Sequence, residues 1–320
     1  MKILITPTSM TEKTHSAALD TLRVFADTLV FNPMGRPLNA QELIALLDGV
    51  DGVIAGLDAF DESVINAAPD MLRVISRYGA GYDRVDIRAA AKRGILVTNT
   101  PGANSDAVSD LALGLMLCAA RKIPMLDKSV REGKWVRNTG IELSHKKLGI
   151  VGLGAIGKGV ARRAQGFAMH VLAYDPYADK KYMSEQGIEN AVLDDLLQES
   201  DFVSLHLPLN DQTWHIIGSE AIGRMKPGAV LVNTSRGGLI DENAVYEALK
   251  SGKLGGLGLD AFETEPPGTL PLFELDNVVF TPHTGAHTKE AVEKMAELAV
   301  CNLINVLSGR VCPYAIKGEP

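Results

Sequence analysis

Short apolar segments alternate with amphipathic stretches along the first hundred residues. The apolar segments predict strands at residues 2–6, 53–55 and 73–76, and the amphipathic stretches predict helices near residues 41–47 and 63–68. Strands that alternate with helices in this way are typical of a parallel sheet covered by helices. The first part of the chain is therefore predicted to be an α/β unit.

The alternation starts again at residue 147 and continues to about residue 282. Pro101 and Gly102 interrupt the pattern, so we expect two α/β units joined near residues 99–102. Beyond residue 287, apolar residues recur at spacings of three and four, which predicts one face of a helix that ends near Gly309. The apolar residues of this face are Val292, Met295, Ala299, Leu303 and Val306.

One strand of the second series runs directly into a glycine-rich turn. The apolar residues 148–151 are followed by Gly152, Gly154 and Gly157, and a helix is predicted over residues 155–166. The first glycine allows a tight turn, the second leaves room for a pyrophosphate, and the third lets the helix pack closely on its strand. A pyrophosphate would then lie at a helix N-terminus, where free N–H groups favour negative charge. This order predicts a dinucleotide site.

The next apolar run, residues 170–174, ends in Asp175, which stands 21 residues after Gly154. An acidic residue at about this distance accepts hydrogen bonds from the adenosine ribose. Pro176 and Tyr177 follow, and no arginine stands beside Asp175 to bind a 2′-phosphate. The sequence therefore predicts NAD rather than NADP as the cofactor.

Polar residues follow the predicted strands of the second series where each strand ends. Because ligands bind outside the carboxyl ends of parallel strands, we expect these residues to border one crevice. They are Gly152, Asp175, His206, residues 233–236, Asp260 and residues 281–283.

Some of these residues suit hydride transfer to a 2-oxo acid. That reaction requires a cation for the carboxylate and a proton donor for the developing alkoxide. Arg236 offers a two-pronged guanidinium, and His283, with an intrinsic pKa of about 6.5, is the candidate donor. Glu265 is expected to raise the pKa of His283, and Asp260 is expected to hold the nicotinamide carboxamide.

Each assignment has a simpler alternative. Arg236 could be a surface turn residue, although the glycines at 237 and 238 suggest backbone close to a ligand. His283 could end a strand, and Glu265 could be a solvated loop residue. His206 is a second catalytic candidate. Pro208 after it instead favours a segment that packs against the nicotinamide or the adenine of the cofactor. The remaining candidates, expected to be structural or exposed, are His145, His170, His215 and His287.

Composition narrows the class of protein. The 320 residues suffice for two domains, and 46% apolar with 22% charged residues is typical of a soluble globular protein. A net charge of −7 disfavours nucleic acid and anionic membranes as partners, and no signal peptide or membrane span is predicted. Cys118, Cys301 and Cys312 have no paired spacing, so neither disulfides nor a metal site are expected, and a cytoplasmic location fits.

The motifs together resemble those of the D-isomer-specific 2-hydroxyacid dehydrogenases, and most of all the phosphoglycerate dehydrogenase branch. The matching motifs are residues 152–157, 205–209 with Thr213, 233–237, 260–267 and 281–283. The resemblance spans nearly the whole chain. It implies an α/β fold of two Rossmann-like or flavodoxin-like parallel-sheet domains with a cleft between them. Residues 1–100 plus 288–320 would form the substrate domain, and residues 101–287 the NAD-binding domain.

The resemblance also implies which residues form the site. Arg236, Glu265 and His283 would be catalytic, with the histidine transferring the proton while the nicotinamide carries the hydride. The NAD-binding residues would be Gly152, Gly154, Ala155, Ile156, Gly157, Asp175, His206, Pro208, Thr213, Thr234, Ser235, Arg236, Asp260 and His283. The substrate-binding residues would be Arg77, Gly79, Ala80, Gly81, Arg137, Arg236 and His283, with N–H groups of the loop 77–83 meeting the substrate carboxylate.

The resemblance leaves the substrate open. Arg77 and Arg137 resemble phosphate-binding residues of phosphoglycerate dehydrogenases, but residues 55–57 read Ala-Gly-Leu where a third arginine is expected. The leading expectation is a 3-phosphoglycerate dehydrogenase-like enzyme, and the alternative is a reductase of glyoxylate, hydroxypyruvate or another 2-oxo acid. An NAD-sensing, corepressor-type binding protein is the alternative from another class. The family also implies a homodimer built by the helix at residues 104–120 of the NAD-binding domain.

Overall fold

The computed structural model describes residues 1–317, and the chain forms two compact units. One unit consists of Met1–Asn104 together with the chain from Ala286 onward, and the other of Ser105–Gly285. The first change of unit falls at the start of a long helix, Ser105–Arg121, and not at residue 100. Pro101 and Gly102 form a turn within the first unit, and the chain returns to that unit at residue 286 instead of 288.

Residues 1–104 alternate strands and helices as the pattern predicts. The strands are β1 (Lys2–Ile5), β2 (Thr28–Phe31), β3 (Gly52–Ala55), β4 (Val74–Arg77) and β5 (Leu96–Thr98). The helices are α1 (Ala17–Phe25), α2 (Ala40–Leu46), α3 (Glu62–Ala67) and α4 (Ile87–Lys92). Each helix begins at a polar side chain that accepts an N–H of the first turn, and these caps are Ser16, Asn39, Asp61 and Asp86.

Residues 105–285 contain a second alternating series. Its helices are α5 (Ser105–Arg121), α6 (Ile123–Arg131), α7 (Ala155–Gln165), α8 (Lys180–Glu185), α9 (Leu193–Glu199), α10 (Ser219–Arg224) and α11 (Glu242–Lys250). Its strands are β6 (Lys147–Val151), β7 (His170–Tyr174), β8 (Glu189–Asn190), β9 (Phe202–Leu205), β10 (Ala229–Asn233), β11 (Leu254–Leu259) and β12 (Val278–Phe280). The chain ends with α12 (Lys289–Leu307) and β13 (Ala315–Ile316).

The first unit is built on a six-stranded sheet of order β13-β5-β4-β3-β1-β2, parallel except for β13. Helix α12 covers one face of this sheet. Its apolar side chains Met295, Ala299 and Leu303 are buried with Ile3 of β1 and Val74 of β4. The last long helix of the chain therefore completes the core that the first strand begins.

The second unit is built on a seven-stranded parallel sheet of order β12-β11-β10-β9-β6-β7-β8. Apolar cores lie on both of its faces, one including residues of α5 and α7 and the other residues of α9, α10 and α11. The strand order reverses between β6 and β9, as in dinucleotide-binding folds. Any ligand crevice of such a sheet is expected at the carboxyl ends of these two strands.

Three further features concern membrane spans, metal sites and disulfides. Within residues 1–317, no helix is long and apolar enough to cross a membrane. The same residues hold no cluster of three or more His, Cys, Asp or Glu side chains that could bind a metal ion. All three cysteines lie in this part of the chain and are free thiols.

Candidate active site

Six strands of the second sheet end level with one another. Backbone pairing places their last residues in one row across the sheet: Tyr174, Val151, Leu205, Asn233, Leu259 and Phe280. The polar residues singled out in the sequence follow this row directly. They consequently lie along one edge of the sheet, the edge at which parallel sheets bind ligands.

The glycine turn after β6 has the geometry that a pyrophosphate requires. Gly152 has a φ of +101°, and a Cβ there would lie 2.7 Å from the carbonyl carbon of His206. A Cβ at Gly157 would lie 2.1 Å from the Gly152 oxygen, whereas a Cβ at Gly154 would meet no heavy atom within 4 Å in the described protein. The fold therefore requires the first and third glycines, and the second leaves open space.

Ala155 and Ile156 begin α7 directly after this turn. Gly154 is the N-cap residue and has no side chain to occupy the first N–H groups of the helix. An anion at this point would meet both free N–H groups and the positive end of the helix dipole.

Asp175 lies beside the same turn. Its Oδ2 accepts the N–H of Leu153 at 2.8 Å, and its Oδ1 accepts the N–H of Tyr177 at 2.8 Å. These bonds fix the carboxylate, and each oxygen keeps a further lone pair. The group can therefore still accept hydrogen bonds from ribose hydroxyls.

Two buried polar atoms among the predicted cofactor residues have no hydrogen-bond partner within residues 1–317: His206 Nδ1 and Thr234 Oγ1. The other ring nitrogen of His206 lies 2.9 Å from Ser204 Oγ. Burial lowers the pKa of His206 to about 3, so the ring is neutral near pH 7 and poorly suited to donate a proton. Because buried polar atoms are normally paired, these two atoms favour a ligand with hydrogen-bonding groups at this edge.

Other predicted cofactor residues use their hydroxyls within the protein. Ser235 Oγ donates to the Leu207 carbonyl at 2.7 Å, and Thr213 Oγ1 donates to the Pro208 carbonyl at 2.8 Å. Both bonds shape the loop after β9, on which Pro208 is exposed. The side chains of Ser235 and Thr213 therefore support this loop.

Glu265 and His283 come together from different loops. His283 Nδ1 lies 2.8 Å from Glu265 Oε1, which also accepts the N–H of Phe262 at 3.2 Å. The His283 side chain is 26% exposed and the Glu265 side chain 15% exposed, so the pair is shielded but accessible. The carboxylate orients the ring and leaves Nε2 as the nitrogen that can serve a ligand.

The carboxylate of Asp260, expected to hold the nicotinamide carboxamide, accepts hydrogen bonds from the loop that carries His283. It accepts Thr281 Oγ1 at 2.6 Å and the N–H groups of Thr284 at 2.8 Å and Gly285 at 2.9 Å. The residue is 1% exposed. Its carbonyl also accepts the N–H of His283 at 2.9 Å. Asp260 therefore holds the loop that carries His283, because its strand ends beside that loop.

Arg236 lies on the loop after β10, which Asn233 shapes from within. The buried Asn233 side chain accepts the N–H of Ser235 at 3.0 Å and donates to the Arg236 carbonyl at 2.8 Å. The glycines after Arg236 pack against protein rather than a ligand. A Cβ at Gly237 would lie 1.9 Å from the Phe262 carbonyl carbon, and one at Gly238 would lie 2.5 Å from the Trp214 ring. These glycines let the Arg236 and Glu265 loops approach each other.

Sequence reasoning missed a second histidine–carboxylate pair in this unit. His215 Nε2 lies 3.0 Å from Glu263 Oε1. The sequence predicts a structural or exposed His215, and the contact with Glu263 is a structural one of this kind. The one signal in the sequence is the position of Glu263, two residues before Glu265.

In the first unit, Arg77 supports the predicted substrate loop. It is 2% exposed, and its guanidinium donates to the carbonyls of Gly81 at 3.1 Å and Ala55 at 2.7 Å. The N–H of Gly79 donates to Thr100 Oγ1 at 2.9 Å. Nearby backbone and side-chain atoms of the first unit therefore accept hydrogen bonds from both residues.

Two neighbouring N–H groups of this loop differ. In the part of the chain that the structure describes, the N–H groups of Ala80 and Gly81 have no hydrogen-bond partner. Both residues are partly exposed. In the second unit, Arg137 is exposed in the irregular segment after α6.

Known proteins resemble this chain over most of its length. The family model described as the D-isomer specific 2-hydroxyacid dehydrogenase, NAD binding domain, matches residues 113–285. The chain is 44% identical over 291 residues to a glyoxylate reductase of Korarchaeum cryptofilum, covering 88% of this chain and 87% of the relative.

Two further relatives carry other names. A D-3-phosphoglycerate dehydrogenase of Methanocaldococcus jannaschii is 43% identical over 286 residues, covering 88% of this chain but 54% of the relative. The solved structure of D-lactate dehydrogenase from Aquifex aeolicus, complexed with NAD and lactic acid, is 28% identical with a TM-score of 0.85 and covers 96% of both chains. The matched strands, turn and loops make this chain a member of the D-isomer specific 2-hydroxyacid dehydrogenase family, an NAD-dependent oxidoreductase of D-2-hydroxy acids.

Proposed function

We propose that this protein interconverts a small, unphosphorylated 2-hydroxy acid and its 2-oxo acid, with glyoxylate or hydroxypyruvate as the oxo acid. The observation that carries the proposal is the state of Arg77, whose guanidinium is buried and donates to two backbone carbonyls. A phosphate dianion needs several cations, and residues 55–57 add none. The name of the K. cryptofilum relative points the same way.

The catalytic roles fall to three residues of the second unit. Arg236 binds the substrate carboxylate through its planar guanidinium. His283 donates a proton from Nε2 to the carbonyl oxygen during reduction and takes it back during oxidation. Glu265 holds the ring by its contact with Nδ1 at 2.8 Å.

NAD supplies the hydride acceptor or, when reduced, the hydride. The open space at Gly154 and the start of α7 suit its pyrophosphate. The Asp175 carboxylate suits the ribose hydroxyls, and a 2′-phosphate beside it would be repelled. His206 Nδ1 and Thr234 Oγ1 are the buried atoms that a bound cofactor would pair.

We further propose a homodimer formed through the second unit. Helix α5, expected to build the dimer, has most of its residues buried within its own unit. The segment that follows carries large apolar side chains that are 37–81% exposed: Ile123, Val130, Trp135, Val136 and Ile141. An exposed apolar group of this kind is typical of an interface. A cytoplasmic location is supported by three cysteines, none of them in a disulfide.

NADH oxidation with a panel of 2-oxo acids tests the proposed substrate. We expect kcat/KM for glyoxylate or hydroxypyruvate to exceed that for phosphohydroxypyruvate by about tenfold or more, since a charge-assisted contact missing from the phosphate site is worth about that factor. A preference for phosphohydroxypyruvate would refute the proposal. Inactivity across the panel, with NADH bound, would instead favour a binding protein.

Arg137 provides a matched variant for the same assay. If no phosphate is bound, Arg137→Ala leaves kcat/KM for glyoxylate within about twofold of the unsubstituted protein. If Arg137 binds a phosphate, the variant loses about tenfold or more with phosphohydroxypyruvate alone. If phosphohydroxypyruvate is also the substrate with the highest kcat/KM, that selective loss would establish the phosphoglycerate alternative.

A further inference from the structure

Three loops of the second unit are tied together by residues that lie outside the proposed catalytic set. The loops follow β9, β10 and β11, and the last two carry Arg236 and Glu265. The residues that connect them are Trp214, His215, Glu242 and Glu263, which we call the His215 cluster.

The polar contacts of this cluster are reciprocal. His215 Nε2 lies 3.0 Å from Glu263 Oε1, and the same oxygen accepts the N–H of Glu242 at 3.1 Å. In return, Glu242 Oε1 accepts the N–H of Glu263 at 2.9 Å. Glu263 is thus fixed to His215 in the loop after β9 by its side chain, and to Glu242 at the start of α11 by both its side chain and its backbone.

His215 also contacts the Arg236 loop through its backbone. Its N–H donates to the Gly238 carbonyl at 2.7 Å, and its backbone has a φ of +50°. The Trp214 ring stacks on the His215 ring with 4.5 Å between centroids and packs against Gly238. One residue, His215, therefore joins the backbone of one catalytic loop to a side chain of the other.

The joined positions are close in sequence to the proposed catalytic residues. Gly238 stands two residues after Arg236, and Glu263 two residues before Glu265. A Cβ at Gly237 would lie 2.2 Å from the Glu263 nitrogen, so the two backbones are already in contact there. A shift of Glu263 would consequently be transmitted to both loops.

Charge also favours a donor at position 215. Burial raises the pKa of Glu242, while the nearby His215 opposes that rise. Two carboxyl groups, those of Glu242 and Glu263, stand close together here, and a hydrogen-bond donor between the loops offsets their repulsion. An apolar residue at position 215 would leave only the two backbone N–H groups of Glu242 and Glu263 to offset that repulsion.

We infer that His215 is a positioning residue for the dehydrogenase reaction: through Glu263 and Gly238 it fixes the Arg236 and Glu265 loops relative to each other. The inference rests on the proposed roles of Arg236 and Glu265. It does not depend on which 2-oxo acid is the substrate. His215 itself does not act on the substrate.

The test compares His215→Ala with His215→Gln, because glutamine keeps a side-chain donor that can reach Glu263. Steady-state kinetics are measured with whichever 2-oxo acid the unsubstituted protein reduces best, and NADH affinity is measured by fluorescence titration. We expect His215→Ala to lower kcat/KM by about 10- to 100-fold, with NADH affinity within about twofold, and His215→Gln to recover most of the loss. His170→Ala, at an exposed histidine of β7, should match the unsubstituted protein.

A double-variant cycle separates positioning from general loss of structure. If His215 acts through Glu263, the variant with both His215→Ala and Glu263→Gln should be no slower than the slower single variant. Additive losses, or a His215→Ala protein that is folded and within twofold in kcat/KM, would overturn the inference. Equal losses in His215→Ala and His215→Gln would also overturn it. Failure of the proposed substrate would show separately, as a changed order in the substrate panel.

Discussion

His283 is held in place by more than its contact with Glu265. Its backbone has a φ of +52°, a conformation that histidine rarely adopts, and the Asp260 carboxylate accepts hydrogen bonds from both sides of it along the loop. At the scale of single residues, polar side chains at the carboxyl ends of the second sheet's strands have two kinds of role. Some are proposed to contact the ligand, and others hold the loops that carry those residues. Asp260, Ser235 and Thr213 each make hydrogen bonds that support the loops at this edge.

The first prediction concerns Asp260→Asn. An amide offers one acceptor oxygen where the carboxylate accepts two N–H groups and a hydroxyl, so one buried N–H loses its partner. We expect the free energy of unfolding to fall by about 1–3 kcal/mol and kcat to fall by about tenfold or more. Urea denaturation and NADH-coupled rates measure the two effects.

Thr281→Val is the matched control for this variant, since it removes the hydroxyl donor to Asp260 but leaves both N–H bonds. We expect Thr281→Val to lower the free energy of unfolding by about 1 kcal/mol. If Asp260→Asn weakens NADH binding more than it lowers kcat, the carboxylate serves the cofactor as the sequence predicted.

The second prediction concerns acid stability. The pKa of His206 is lowered to about 3 in the folded protein from 6.5, so its neutral form stabilises the fold above pH 6.5 and this contribution is lost as the pH falls towards 3. In that interval His206 contributes a slope of about 1.4 kcal/mol per pH unit. His206→Asn should therefore show a shallower fall in unfolding free energy between pH 6.5 and 4. If the free energy of unfolding falls equally steeply with pH in the two proteins, the lowered pKa of His206 is contradicted.

At the scale of elements, the sequence predicts those helices and turns that are determined by residues close together in the chain. The turn from β6 to α7 follows from three glycines within six residues, and α12 from its apolar spacing. Strands β2 and β5 were not predicted, because each is at most four residues long and neither is wholly buried. The use of Arg77 could not be predicted either, since its acceptor Ala55 is a backbone carbonyl 22 residues away.

The third prediction separates two glycines of the same turn. A Cβ at Gly157 would lie 2.1 Å from the Gly152 oxygen, so Gly157→Ala should lower the free energy of unfolding by about 1–3 kcal/mol or more and also weaken NADH binding. Gly154→Ala should leave stability within about 0.5 kcal/mol, because the backbone there suits alanine and no atom lies within 4 Å.

Only NADH binding should suffer in Gly154→Ala, because its methyl group would fill the space proposed for the pyrophosphate. Thermal unfolding and NADH titration of both variants measure the difference. Unchanged NADH affinity in Gly154→Ala would show that the pyrophosphate lies elsewhere.

At the scale of the whole molecule, the exposed apolar segment at residues 123–141 bears on assembly. Trp135 is 81% exposed, an unusual position for a large aromatic side chain. The resemblance to the family implies a dimer through the preceding helix, in which nine of 17 residues are buried within the protomer. Apolar composition alone cannot separate a helix buried within a unit from one that forms an interface.

The fourth prediction is that Trp135→Asp dissociates the dimer. Loss of a central aromatic contact costs about 2 kcal/mol or more, equivalent to about a 30-fold weaker dimer. Sedimentation equilibrium over a concentration series measures the change. Val311→Asp, at a valine 91% exposed in the first unit, should remain dimeric. A monomeric unsubstituted protein, or a Trp135→Asp protein that still dimerises with unchanged affinity, would refute the proposed interface.

The packing of α12 on β1 and β4 fixes an order of events during synthesis. The ribosome synthesises the whole of residues 105–285 before it makes the helix that covers Ile3 and Val74. The unit finished first is therefore the one whose sequence is continuous, and the N-terminal strands keep an apolar face bare until the last helix emerges. A nascent chain interrupted before residue 289 would expose that face, which makes it a natural binding site for chaperones during translation.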